Sequence, residues 1–244
     1  MRGSSGQIAY IWAQIPPVAI FDCAGTRVCA HIFYLDFAPG YGQNVFMKIH
    51  PSEFLKDPFI VAREILLGAT LHSRIGGKLC AGRIVELELY MGGCDRACHA
   101  YPCKMTPRNA VMFGAPGVAY VYFVYGMHNM FNVVIGAEGQ PNAILIRALE
   151  PLSGIDVMRA RRGGADIKQL CSGPAKLTEA LGITTKHNGL DLCGDKIWLE
   201  AADKKIAPSD IAAGPRIGVD YAGDDAALPW RFAIKGSAFI IKKI

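Results

Sequence analysis

Glu86, Glu88 and Tyr90 stand two residues apart in the run Arg83-Ile-Val-Glu-Leu-Glu-Leu-Tyr90, and two carboxylates with a phenol at that spacing could do acid–base chemistry. In an extended chain these three share one face, so both acids and the ring are expected to look into one space. Val85, Leu87 and Leu89 then occupy the opposite face and also need cover. A carboxylate between two covered faces must be paired or put to use, because an ionised group left unpaired away from water costs several kcal/mol or more. Arg147 is the complementary group. It lies in the apolar run Ala143-Ile-Leu-Ile-Arg-Ala-Leu149, where a guanidinium needs a carboxylate. Glu86, Glu88 and Glu150 are the candidates, and a plain strand-end ion pair with Glu150 or a neighbour would account for it without chemistry.

Other residues offer binding rather than catalysis. Asn132, inside Met130-Phe-Asn-Val-Val-Ile135, reads on its own as a satisfied core amide. Alternation places Tyr120 and Tyr122 on one face, and Tyr125 stands beside Gly126 at an expected hairpin tip. Core packing would explain these rings. A base stacked on a displayed ring, worth roughly 1–3 kcal/mol, is the other explanation. Arg159, Arg161, Arg162, Lys168 and Lys176 form a basic stretch that is either a solvated face or, with Ser172-Gly173-Pro174 ahead of a helix, a seat for phosphate. Cys94, Cys98, His99 and Cys103 raise the question of a metal, but their intervals match neither structural zinc nor common iron–sulfur spacing. Scattered reduced thiols are expected instead.

The elements that must position these groups are legible in outline. The chain has 244 residues, a formal net charge of +5 and 8 cysteines. That suffices for a sizeable core, suits a polyanionic partner without requiring one, and points to a reducing compartment. No apolar run approaches the roughly 20 residues of a membrane span. Residues 1–46, with a weak apolar stretch broken by Gln14 and Pro16-Pro17, resemble a signal peptide poorly; they are expected to be an extension upstream of a domain covering 47–244, with Met47 a plausible native start. Ser52 or Asp57 is expected to cap a helix through Val61–Leu67, stopped by Gly68. Gly76-Gly77 should turn the chain into the strand carrying Glu88, and Gly92-Gly93 should end it. Strands are expected over 118–124, 130–135 and 143–149, and helices over 155–162 and 174–182. The expected fold is α+β: one mixed domain with a curved, antiparallel, partly barrel-like sheet, flanking helices and a protruding β-hairpin.

Taken in order, Gly82–Tyr90, His99, Thr106-Pro-Arg-Asn-Ala-Val-Met-Phe113, Tyr120–Met127, Asn132, Ile146-Arg-Ala-Leu-Glu-Pro151 and Leu170-Cys-Ser-Gly-Pro-Ala-Lys-Leu177 resemble the alkyladenine (3-methyladenine) DNA glycosylase family. The resemblance runs from about residue 52 to the C-terminus. It departs at Leu87 and Leu89, where Thr and Ala are usual, which puts the packing behind the strand in question, and at the three cysteines. It implies monofunctional hydrolysis of the N-glycosidic bond of alkylated or deaminated purines, such as 3-methyladenine and hypoxanthine, flipped out of duplex DNA. No cofactor or metal is implied, and no lyase activity. Glu88 would be the general base and Arg147 its orienting partner. Tyr90, His99 and Tyr122 would stack the purine, backbone near Ala97 and His99 would read its edge, and Asn132 would line the pocket floor. Tyr125 would fill the vacated stack, with Met127 and Lys176 also on DNA. The expected partner is damaged double-stranded DNA and no membrane, for a monomer located with the nucleoid of a bacterium or in a nucleus, and not secreted. A binding module without catalysis, favoured if the two leucines distort the strand, and a metal-dependent hydrolase built on the cysteines and His99 are the alternatives.

Overall fold

Gly76 and Gly77, with φ of 65° and 70°, make the tight turn that only glycine enters freely. They fold Thr70–Ile75 (β1) back on Lys78–Met91 (β2). The computed structural model describes residues 47–244, and the expectations for 1–46 lie outside the described residues. Further strands are Ala119–Val124 (β3), His128–Ile135 (β4), Asn142–Ser153 (β5), Ile197–Glu200 (β6), Ile211–Gly214 (β7) and Arg231–Ile234 (β8). All pair antiparallel in one eight-stranded sheet, in the order β3-β4-β5-β2-β1-β6, with β8 joining β2 and β7 joining β8. The single α+β domain with an antiparallel sheet is as expected; the sheet does not close into a barrel, and it branches at β2. One edge of β2 is taken by β5. The other is shared, β1 covering its first half and β8 the stretch Glu86–Glu88.

Asp57 rather than Ser52 caps the first helix, its Oδ1 accepting the N–H groups of Phe59 at 2.9 Å and Ile60 at 3.2 Å. Pro58–Ile60 (α1) passes directly into a π-helical turn, Val61–Leu66, where an ordinary α-helix was expected. The wider turn buries Val61, Ala62 and Leu66 together. Ile155–Arg161 (α2), Ile167–Leu170 (α3) and Pro174–Leu181 (α4) cover the sheet, α4 lying on β4 and β5. Among the described residues no helix is long and apolar enough to cross a membrane.

Leu87 and Leu89 are fully buried in the main core with Ile144, Ile146 and Phe232. Each such side chain contributes about 1.5–3 kcal/mol by burial. The β2–β5 ladder runs without a shift from Leu87 to Met91, so the two leucines, whose packing the sequence puts in question, leave the strand regular there. The irregularity lies earlier. Register shifts on both sides of Glu86 leave Val85 and Arg147 without partners across the ladder, a pair of bulges that re-aims side chains.

Candidate active site

At the bulge the chain concentrates charge. The Tyr90 hydroxyl donates to Glu88 Oε2 at 2.7 Å, the Ile217 N–H donates to Oε1 at 2.8 Å, and Arg147 Nη1 lies 3.2 Å from Oε2. Glu86 Oε1 accepts from Arg231 at 3.0 Å and from Arg147 Nε at 3.3 Å. Two carboxylates thus face two guanidinium groups, and the buried charge balances. Burial pushes the Glu86 carboxyl up against the opposing pull of Arg147 and Arg231. Burial and then Glu88 push the Tyr90 phenol well up, which keeps it a donor. Glu150 pairs instead with Arg83 at 2.8 Å, so of the three candidate partners Arg147 takes Glu86 and Glu88.

The expectation that both acids face one space needs correction. Glu88 is fully buried; it stands one layer behind a cavity of about 410 Å³ whose wall includes its three donors' residues, Tyr90, Arg147 and Ile217. Glu86, turned aside by the bulge, borders a second cavity of about 500 Å³ that shares Arg147 and Ile217.

Tyr90, His99, Tyr122 and Asn132 all line the first cavity, as does Ala97. The His99 and Tyr122 rings meet at 4.6 Å and 72°, and Tyr120 lies 5.2 Å from Tyr122. His99 Nδ1 is 3.0 Å from the Tyr120 hydroxyl. Asn132 Nδ2 donates to the Tyr120 carbonyl at 3.0 Å, so it is a satisfied amide and a wall residue at once. Behind Tyr90, the Arg216 guanidinium sits 4.8 Å from that ring and 5.1 Å from Trp230. It is held by Asp95 at 2.8 Å and donates to the Leu89 carbonyl at 2.9 Å.

Burial, then the Arg108 guanidinium, push the His99 imidazole down to about 4, below its ordinary value near 6.5. A histidine with a depressed pKa contributes stability that is present above about pH 6.5 and is lost as pH falls toward the folded value, because the unfolded state binds the proton first. Thermal melts of the wild type and His99→Gln are therefore expected to run parallel from pH 7 to 8 and converge between pH 6.5 and 4. Curves parallel across the whole range would show that protonation of His99 does not govern this loss.

Tyr125 is 86% exposed at the β3–β4 tip with φ 52°, a left-handed backbone uncommon outside glycine. Met127 beside it is also exposed. Lys176 borders the second cavity rather than the first, and its Nζ donates to Gln169 Oε1 at 2.6 Å. Part of the basic stretch is structural: Arg161 donates to the Ala180 and Ile75 carbonyls, each at 3.0 Å, and Arg162 pairs with Glu179. Burial raises the Cys98 thiol to about 12, and its Sγ donates to the Pro141 carbonyl at 3.8 Å. Cys94 and Cys103 are exposed, and no three His, Cys, Asp or Glu residues among the described ones converge to hold a metal ion.

Sequence reasoning missed Tyr120, Arg108, Ile217 and Tyr221 as cavity residues. The alternation does place Tyr120 on the face of Tyr122, but core packing explains its ring equally well. Ile217 contributes a backbone N–H to Glu88 from 129 positions away, and nothing local to either residue signals that.

The family model described as methylpurine-DNA glycosylase matches residues 52–238. A protein of Carboxydothermus hydrogenoformans is 50% identical over 79% of this chain and 98% of its own length. Others from Chlorobaculum tepidum and Bacillus cereus are each 46% identical, over 80% and 81% of this chain and 92% and 100% of their own lengths. All three carry the provisional name 3-methyladenine DNA glycosylase. With a family model spanning the sheet, the charge cluster and the ring-lined cavity, the chain belongs to the methylpurine-DNA glycosylase family.

Proposed function

We propose that residues 47–244 form a DNA glycosylase domain that flips 3-methyladenine or hypoxanthine out of duplex DNA into the ring-lined cavity, hydrolyses its N-glycosidic bond and leaves an abasic site. The observation that carries the reading is the Glu88–Arg147 pair at the back of a cavity walled by Tyr90, His99 and Tyr122. The names of the relatives support the alkylated-purine substrate. The chain acts as a monomer on damaged duplex, in the nucleoid or nucleus.

The chemistry follows from developing charge. As the base leaves, the sugar gains oxocarbenium character, which a carboxylate stabilises while drawing a proton from attacking water. The Arg147 contact, at 3.2 Å, is the longest of the three on Glu88. It is the one through which a water reaches the carboxylate, Arg147 then orienting the water. An alkylated purine already carries positive charge and leaves without strong acid catalysis. No lysine lines the cavity among the described residues, in keeping with a monofunctional enzyme that forms no Schiff base.

Tyr125 fills the gap left by the flipped base, Met127 lies against the same strand, and Lys176 contacts phosphate nearby. Tyr125→Gly suits the left-handed backbone at this turn, so it removes the ring without straining the hairpin. Loss of about 1–3 kcal/mol of stacking should weaken binding to an abasic-site duplex by at least fivefold with an unchanged melting midpoint. Unaltered binding would return Tyr125 to a surface role.

The full burial of Glu88 favours a second reading, a damage-binding module without catalysis. Incubation with duplexes that each hold one defined lesion, followed by alkaline cleavage at abasic sites, separates the two. Base release from a 3-methyladenine or inosine duplex supports the glycosylase, whereas binding with no release supports the module.

A further inference from the structure

The loop that presents Ala97 and His99 is clamped by two short 3₁₀ turns within Asp220–Ala227, kinked at Gly223. The Arg96 N–H donates to Asp225 Oδ2 at 2.8 Å, and the Tyr221 hydroxyl donates to the Ala97 carbonyl at 3.1 Å. Tyr221 lines the cavity yet is 71% exposed, and Tyr125 shares both properties, so the two rings stand at its mouth. Ala97 has spent its own N–H on Asp95 Oδ1 at 2.9 Å. The His99 N–H has no partner among the described residues. This stretch therefore offers an incoming base one free donor and one acceptor that is already engaged.

We propose that Tyr221 is a specificity residue whose hydroxyl caps the Ala97 carbonyl, favouring purines that present an acceptor at this edge, such as a 6-oxo group, over those that present an amine. The inference rests on the purine-excision reading above. A 6-oxo purine meets the free His99 N–H. A 6-amino purine must compete with the phenol for the carbonyl or use its second lone pair, the first being taken. The same cap discriminates against undamaged adenine, which carries that amine.

The test is single-turnover base release by the full chain from two duplexes, one with a single deoxyinosine and one with a single 3-methyladenine. Tyr221→Phe keeps the ring and removes the hydroxyl of an exposed residue, so the melting midpoint should hold. The ratio of hypoxanthine to 3-methyladenine release should fall about fivefold, the scale of one neutral hydrogen bond, and Tyr221→Ala should shift it the same way. An unchanged or raised ratio in Tyr221→Phe overturns the proposal. A wild type that releases 3-methyladenine alone also overturns it and leaves the glycosylase reading intact. Release of neither base overturns that reading and this proposal with it.

Discussion

Glu88→Gln is expected to slow base release by a factor of about 10² to 10⁴, the usual scale of general-base help, while the protein still binds an abasic-site duplex. The geometry says why the change is severe. Both Glu88 oxygens accept, from Ile217 on one side and from Tyr90 and Arg147 on the other. A glutamine can present only one acceptor oxygen, so its amide nitrogen must face a donor whichever way it turns. A buried donor left unpaired costs about 1–3 kcal/mol, and Arg147 loses half of its balancing charge. Single-turnover kinetics, a melting curve and duplex affinity should be measured on one preparation. Release within threefold of wild type would remove Glu88 from the chemistry. A large loss of affinity together with stability would instead assign it to the scaffold.

Breaking the Asp95–Arg216 pair should have the largest effect on stability. Both side chains are fully buried, and removal of one partner strands the other, at a cost of about 3–5 kcal/mol. For a domain of this size that corresponds to a fall in melting temperature of about 6–20 °C. Arg216→Met also removes the group stacked behind Tyr90 and the donor to the Leu89 carbonyl. Asp95→Leu combined with Arg216→Met should recover part of the loss, because an apolar pair of similar size leaves no charge uncompensated. A double variant less stable than both singles would refute this account, as would single variants within 1 kcal/mol of wild type.

Much of the site was legible because its residues sit in short, strongly patterned runs. The alternation in 83–90 put Glu88 and Tyr90 on one face, and the hydroxyl–carboxylate bond at 2.7 Å bears that out. Gly76-Gly77 and the tip at Tyr125-Gly126 were readable as turns because positive φ selects glycine. The bulge was not readable. A strand that skips a partner keeps its alternation in sequence, so Glu86 was placed in the same space as Glu88 when it borders another cavity. Nor was the depth of Glu88, which depends on Ile217 closing over it from the far end of the chain. Asp95 and Arg216, 121 positions apart, carry no periodic signal of their own. The basic stretch stayed open in the sequence between a solvated face and a phosphate seat, because charge counts do not reveal a guanidinium that ties α2 to α4 and β1, as Arg161 does.

The branching of the sheet at β2 sets where this molecule can breathe. With β5 along one side and β1 and β8 dividing the other, the amides around Glu88 are expected to exchange far more slowly in hydrogen-exchange measurements than those of the β3–β4 tip, which lies at the sheet edge. On the proposed function, that division would leave the Glu88 cluster undisturbed while the rim meets DNA.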